Sequence, residues 1–289
     1  MENKLYECHC HIALDGADFE AATARHKNGV DMPYVRSVLE KYKAAGIEYL
    51  RDGGDKWGVA QAAGQICAEC GIEFATPVFP IYKKGNYGGF LGRGYSTMAE
   101  YAALVKEAAD KGADFIKIMA SGIMDFDRFG VLTGYVLEEN ELKEAVKIAH
   151  DMGFPVMCHV NSADGVKTAV SAGVDSIEHG NYIDDAAIAD MASSGCVFTP
   201  TVAAVADLIG LGFNDGVLEK IFAVQKQNLV KCKAAGVIIA PGSDAGTKGV
   251  THCNGIQDEV RFISSVLGGC EELKIGQERI RKVFAKRRS

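Results

Sequence analysis

Residues 154–180 read FPVMCHVNSADGVKTAVSAGVDSIEHG. An apolar run closes at His159, a helix-length stretch follows, Gly173 breaks it, and a second apolar run closes at His179. The two histidines stand twenty residues apart (179 − 159), the span of a compact strand–helix unit. A short, almost continuously apolar run bounded by turn signals fits a strand buried on both faces of a parallel sheet. Two imidazoles at equivalent strand ends then face one pocket.

The unit recurs along the chain. Candidate strands are 4–9, 47–52, 72–79, 114–120, 154–160, 175–179, 196–202 and 237–243. Amphipathic stretches lie between them: 32–45 places Tyr34, Val38, Leu39 and Tyr42 at helical spacing, and 138–151 does the same with Leu142, Val146 and Ala149. Gly46, Gly71, Gly112, Gly153, Gly173, Gly195 and Gly236 each precede a candidate strand. Glycine there ends a helix in a left-handed cap and turns the chain. Seven such joints between eight strands predict an α/β fold, a (β/α)8 TIM barrel; the open doubly wound sheet is the competitor. No GxGxxG follows the first strand and eight units suit closure, which favours the barrel. Residues 80–96, 121–137 and 203–214 are expected to be long loops shaping a pocket. No composition break divides 1–289, so a single domain is expected.

Composition agrees. The chain is 48% hydrophobic and 24% charged, with a formal net charge of −7, which argues against nonspecific nucleic-acid binding. The one basic cluster, 279–288, is expected to be a solvated terminal helix. Nine cysteines lack the spacing of a secreted disulfide scaffold, so reduced thiols are expected. No leader-like segment and no bilayer-length apolar run is present, and a cytoplasmic enzyme with no membrane partner is the expectation. Cys67 and Cys70 form a CxxC with no second Cys or His pair nearby, so no zinc site is expected there.

Six residues carry the chemistry: His9, His11, Lys117, His159, His179 and Asp244. Imidazole and carboxylate are usual ligands of a hydrolytic metal. His9 and His11, two apart on one strand, share a face with Glu7, whereas Cys8, Cys10 and Cys158 should point away. Lys117 interrupts the apolar run 115–119, and a buried ammonium must find a partner or lose its charge. Either it pairs with Glu7, Glu178 or Asp244, or its neutral amine adds carbon dioxide to give a carbamate that bridges two cations. Asp244, beside glycines 242 and 246, either caps the next helix or serves as ligand and base.

The order HxH, strand-four Lys, strand-five His, strand-six His, strand-eight Asp resembles the amidohydrolase superfamily, binuclear subtype. The strings at 51–54 (RDGG), 115–122 (FIKIMASG), 177–180 (IEHG), 199–201 (TPT) and 242–245 (GSDA) are similar to its imidazolonepropionase-related and Xaa-Pro-dipeptidase-like branch. The resemblance implies two divalent metal ions, zinc by default with manganese, iron or nickel as other candidates. It implies that His9, His11 and Asp244 bind one, that His159 and His179 bind the other, and that carboxylated Lys117 bridges them. Three departures stand out. Glu7 replaces the usual Asp, Ile123 replaces a second glycine, and the barrel is expected without the usual flanking β-sandwich domain.

The implied activity is hydrolysis of an amide-type C–N bond by a metal-activated water, with Asp244 as catalytic base. In the third loop Lys83, Lys84, Arg93 and Tyr95 are candidate substrate contacts, and in the fourth Asp125, Asp127 and Arg128; Arg93, Tyr95 and Arg128 lead this group. Basic contacts would suit a small-molecule substrate with a carboxylate: a dipeptide, N-acyl amino acid or cyclic amide. Alternatives are a lactonase or phosphotriesterase-like esterase on the same site, or a catalytically inactive metal-binding barrel. A deaminase fits less well, since those relatives usually hold one metal and lack the lysine. A homo-oligomer is compatible with all of these.

Overall fold

The computed structural model describes residues 4–285. Its strands are β1 (Leu5–Cys10), β2 (Ile47–Asp52), β3 (Glu73–Ala75), β4 (Pro80–Lys83), β5 (Arg93–Tyr95), β6 (Ile116–Met119), β7 (Val156–Ser162), β8 (Ser176–Tyr182), β9 (Val197–Thr199) and β10 (Ile238–Ile239). They form a three-stranded sheet, β1-β2-β3, and a seven-stranded sheet, β10-β9-β8-β7-β6-β4-β5. Every pairing between them is parallel. The result is an α/β fold with helices in the crossovers, as the strand–helix alternation predicts.

Backbone hydrogen bonds join the two sheets at both ends. On one side Cys8 N donates to Pro241 O (3.1 Å), Asp244 N to His9 O (2.7 Å) and His11 N to Ala245 O (2.7 Å). On the other, Asp114 N donates to Thr76 O at 2.8 Å, and Thr76 N donates to the Asp114 carboxylate at 3.0 Å. β10 is shorter than expected because its ladder changes partner: Ala240 N still bonds Phe198 O of β9, but Pro241 has no N–H and its carbonyl turns to β1.

All seven joint glycines take positive φ, between 68° and 88°. The helices Met32–Ala44 and Glu139–Asp151 match the two periodic stretches, and bury Val38, Leu39 and Tyr42 in one, Leu142, Val146 and Ala149 in the other. One expectation is corrected. The segment 80–96 is not simply a loop, since β4 pairs with β6 and β5 pairs with β4. Ile81 and Tyr95 are fully buried in the main core, which ties the segment down. Pro80 is tolerated because it opens its strand.

Apolar residues fill the space beneath the strand ends. Phe115, Met157 and Val197 lie two residues before Lys117, His159 and Thr199, hence on the same strand faces, and they cluster with Cys8, Tyr49 and Ala240. Ile280 and Phe284, from the helix Glu271–Val283 and its end, close this cluster, and Phe284 is fully buried under the Arg51 guanidinium at 4.5 Å. The basic tail is therefore not a freely solvated helix as far as Phe284, and its residues 286–288 lie outside the described ones. Cys10 and Cys158 do pack outward in the strand–helix layers, whereas Cys8 joins the inner cluster. Among the described residues none of the nine cysteines forms a disulfide, and no helix is long and apolar enough to cross a membrane.

Candidate metal centre and active site

Four strands and the segment that follows a fifth deliver six side chains to one place. β1 supplies His9 and, one residue past its end, His11; β6 supplies Lys117, β7 His159, β8 His179, and the segment after β10 supplies Asp244. Lys117 Nζ lies 3.1 Å from His9 Nε2 and 3.3 Å from His11 Nε2. Asp244 Oδ1 lies 3.4 Å from each of those same nitrogens. The His159 and His179 rings meet edge-on at 4.6 Å between centroids, and His9 and His179 at 5.1 Å. The structure brings all six candidate metal-site residues together.

Burial sets the charge states. It drives the His9, His11 and His179 pKa values well below the ordinary range and lowers His159 to about 3, with the Lys117 charge adding to the effect in each. The imidazoles are therefore neutral, the form in which a nitrogen lone pair can ligate. Burial also lowers the Lys117 pKa, against the pull of Asp244, Glu178 and Asp52. The Asp244 carboxyl is pushed up to about 6 by burial, partly offset by Lys117. The direct partners of Lys117 are imidazole nitrogens rather than the carboxylates of Glu7 or Glu178, which are engaged elsewhere.

A divalent cation fits this donor set. His9, His179 and Asp244 each present a ligand atom within 4.8 Å of the others. Asp244 Oδ1 is buried and has no hydrogen-bond partner, an arrangement that is costly unless something else satisfies the oxygen. Neutral imidazoles beside a carboxylate are the nitrogen–oxygen ligands that zinc and its neighbours take.

Further partners fix the ring orientations. His9 Nδ1 pairs with Glu178 Oε2 at 2.8 Å, and His179 Nδ1 with Thr201 Oγ1 at 2.8 Å, so each ring turns Nε2 away from its anchor. Glu178 is held by Arg51 Nη2 (2.9 Å) and by the Ser176 hydroxyl (2.5 Å). Arg51 in turn donates from Nε to Cys8 O at 2.6 Å and from Nη1 to Ser176 Oγ at 2.8 Å. Glu7 accepts from Ser243 N (2.9 Å) and Ser243 Oγ (2.5 Å), and so clamps the Asp244 segment to β1. Asp52 accepts from Ile12 N (2.7 Å) and Gly54 N (2.6 Å) and fixes the turns after β1 and β2. His179, Thr201 and Asp244 all have positive φ (73°, 46° and 61°). Non-glycine residues reach that region at a cost and collect where function demands a set direction. At Gly53 any Cβ would stand 2.3 Å from His11 Cε1 and 2.6 Å from Lys117 Nζ, so only glycine lets this turn approach the cluster.

A cavity of about 260 Å³ opens above the cluster. Of the expected substrate contacts, Arg93 and Arg128 are not among its walls: Arg93 pairs with Glu107 and lies over the Phe79 ring, and Arg128 pairs with Asp125 on the surface. Tyr95 is fully buried and packs edge-on against Tyr101 at 5.2 Å. The expected loops do line the cavity, but through other residues: Tyr87, Phe90 and Leu91 from the third, Ile123, Met124 and Phe126 from the fourth. Tyr87 stacks on the His159 ring at 5.0 Å. Large apolar side chains in loops were the overlooked signal, because a loop does not need them for its own packing. Asn161 and Asn181 supply the polar part of the wall. Asn181 Nδ2 donates to Asn161 Oδ1 at 2.6 Å, and Gln225 Nε2 donates to Asn181 Oδ1 at 2.6 Å.

Known proteins share this arrangement of strands. A crystal structure of a Xaa-Pro dipeptidase with methionine bound in the active site superposes with a TM-score of 0.76 at 22% identity, covering 97% of this chain and 75% of that one. The crystal structure of Aspergillus niger ochratoxinase gives 0.75 at 19% identity, covering 94% and 68%. These are likenesses of fold. In sequence, ochratoxinase of Aspergillus niger is 26% identical over 284 residues, 86% of this chain but only 58% of the length of that protein. An uncharacterised Mycobacterium tuberculosis protein is 25% identical over 279 residues, 91% of this chain and 68% of that one. The profile of the amidohydrolase family matches residues 9–267, from the first clustered histidine to beyond the last clustered aspartate, and the chain is an enzyme of that family.

Proposed function

We propose that the chain hydrolyses an amide-type C–N bond at a binuclear metal centre set in a (β/α)8 barrel. The hydrogen bonds across both seams support closure of the two sheets into one eight-stranded ring of β1, β2, β3, β6, β7, β8, β9 and β10. The observation that carries the functional reading is the convergence of His9 Nε2 and His11 Nε2 on Lys117 Nζ and Asp244 Oδ1 at 3.1–3.4 Å.

His9, His11 and Asp244 would hold one divalent ion, zinc by default, and His159 and His179 the second. Lys117 would lie between the two as a carbamate. Burial favours its neutral amine, the form that adds carbon dioxide, and the product supplies the anionic oxygens that two cations require. Such ions supply Lewis acidity that acidifies a water and polarises an acyl carbonyl.

The residues of the chain do the rest. Asp244 Oδ1, unpaired, accepts the proton of the attacking water and returns it to the leaving nitrogen, so that amide and water become acid and amine. Glu178 and Thr201 hold His9 and His179 in the ligating tautomer. Tyr87 covers one face of His159 and excludes solvent from it. The name of one relative, a Xaa-Pro dipeptidase, and the amidohydrolase family itself support an amide or peptide substrate over other acyl groups.

The test is a panel on enzyme loaded with zinc or manganese: a dipeptide, an N-acyl amino acid, a lactone and an organophosphate triester. Release of one amine per amide consumed supports the proposal. Turnover confined to the lactone or triester assigns the site to the esterase alternative. Full metal occupancy without turnover of any of them assigns it to an inactive metal-binding barrel.

A further inference from the structure

The cavity walls carry almost no charge. Beyond the metal-site residues, the charged side chains lining it are Asp18 and Lys248, one of each sign. Both are exposed and lie at the solvent-facing part of the wall: Asp18 caps the helix Phe19–Arg25, and the Lys248 ammonium donates to Ala17 O at 2.7 Å. The basic residues of the neighbouring loop are neutralised away from the cavity, Lys83 by Glu141 and Lys84 by Glu100. Among the described residues, a substrate carboxylate that passes the exposed Lys248 finds no buried guanidinium or ammonium in the wall outside the metal-site residues, and an unpaired buried carboxylate is disfavoured.

What the walls offer is aromatic surface in two separate groups. Phe90 is the centre of one, with Tyr87 at 5.0 Å and Phe19 at 6.0 Å between ring centroids. Phe126 and Phe213, at 5.2 Å, form the other. Phe19 and Phe213 remain 45% and 37% exposed. Exposed rings at the mouth of a deep pocket mark a surface that an apolar ligand covers.

We propose that the site selects a neutral amide with an apolar, aromatic-sized arm on each side of the scissile bond, rather than an amino-acid derivative with a free carboxylate. The inference rests on the amidohydrolase reading above and goes beyond it by naming the substrate class. It replaces the carboxylate-bearing substrate that the loop arginines suggested.

A matched set of probes decides it. N-phenethyl-2-phenylacetamide and N-phenylacetylphenylalanine differ only by a carboxylate next to the nitrogen, and N-ethylacetamide lacks both rings. With metal-loaded enzyme, the neutral aromatic amide should exceed its carboxylated partner at least tenfold in kcat/KM, and exceed N-ethylacetamide at least a hundredfold. Phe213→Ala should raise KM for the aromatic amide at least fivefold. Equal or reversed preference for the acid overturns the inference and leaves amide hydrolysis standing.

Binding gives an independent readout. The single tryptophan, Trp57, packs against a cluster with Leu14, Leu91 and Phe90, residues that also line the cavity. Titrated through Trp57 fluorescence, the neutral aromatic amide should bind at least tenfold more tightly than the acid. If no probe is cleaved, hydrolysis fails at these bonds while the order of binding still decides the substrate class: tighter binding of the neutral amide upholds it, and tighter or equal binding of the acid overturns it.

Discussion

Glu178 Oε2 lies 2.8 Å from His9 Nδ1, and Arg51 Nη2 reaches both oxygens of the same carboxylate, at 2.9 and 3.0 Å. Three strands, β1, β2 and β8, are thereby joined beneath the candidate metal site by a fully buried ion pair with a histidine on top. The carboxylate keeps the proton of His9 on Nδ1 and leaves Nε2 as a lone pair facing Lys117 and Asp244.

Replacing the carboxylate by its neutral isostere tests that role. Glu178→Gln keeps the shape and weakens the hold on His9, and metal affinity should fall by about 10–100-fold. Competition with a chromogenic chelator measures it; affinity equal to wild type removes Glu178 from the argument. Glu178→Ala goes further and leaves Arg51 charged, buried and unpaired. It should cost about 3–5 kcal/mol in urea unfolding.

Lys117 distinguishes a carbamate from a plain structural lysine. If carboxylation creates the bridge, binding of two metals per chain should strengthen when bicarbonate is added to protein stripped of carbon dioxide. Lys117→Ala should lose that dependence, retain at most one metal, and lose at least about hundredfold in turnover. Lys117→Glu, which carries its own anionic oxygens, should bind metal without regard to bicarbonate. Metal counting by elemental analysis across the three proteins settles the matter, and a wild type indifferent to bicarbonate ends the carbamate proposal.

Asp244 is both ligand and proton carrier in this scheme, and the two roles separate on mutation. Asp244→Ala leaves four imidazoles and Lys117 to retain metal, but nothing to take the proton of the attacking water. Turnover should fall by about 10²–10⁴-fold while most of the metal stays bound. Near-normal turnover would refute the base assignment, and complete loss of metal would recast Asp244 as chiefly a ligand.

The parts of this centre differ in how far the sequence exposes them. Five of the six clustered side chains close or follow a short apolar run, Lys117 interrupts one, and the glycine joints such as Gly153 and Gly173 mark where each strand begins. Period and punctuation are local, so they are readable. Arg51 and Glu178 are 127 positions apart and meet only because β2 and β8 face the same interior, a relation no local pattern carries. The cavity wall failed for a different reason. Arg93 and Arg128 stood out in their loops as polar groups, but a charged loop residue is as well served by a neighbouring carboxylate, and Glu107 and Asp125 provide one. The apolar Tyr87, Phe90 and Phe126 had no such outlet, and they form the wall.

Asp207 gives a prediction away from the candidate metal site. It follows the short helix Ala203–Ala206, and its carboxyl is raised to about 6 by burial and by Asp258, against the pull of Arg261. An acid whose pKa is higher folded than unfolded binds its proton more tightly in the native state. Stability from this group is therefore lost as pH rises from about 4 through about 6, and stays lost above. The side chain is only half-buried, so solvent screening reduces the nominal effect to about 1 kcal/mol. Asp207→Asn removes the ionisation, so it should match wild type below about pH 4 and exceed it at pH 7, by about 2–4 °C in Tm. Thermal melts of both proteins across that range provide the check: an equal offset at all pH values would mean that the substitution acts through packing and not through charge.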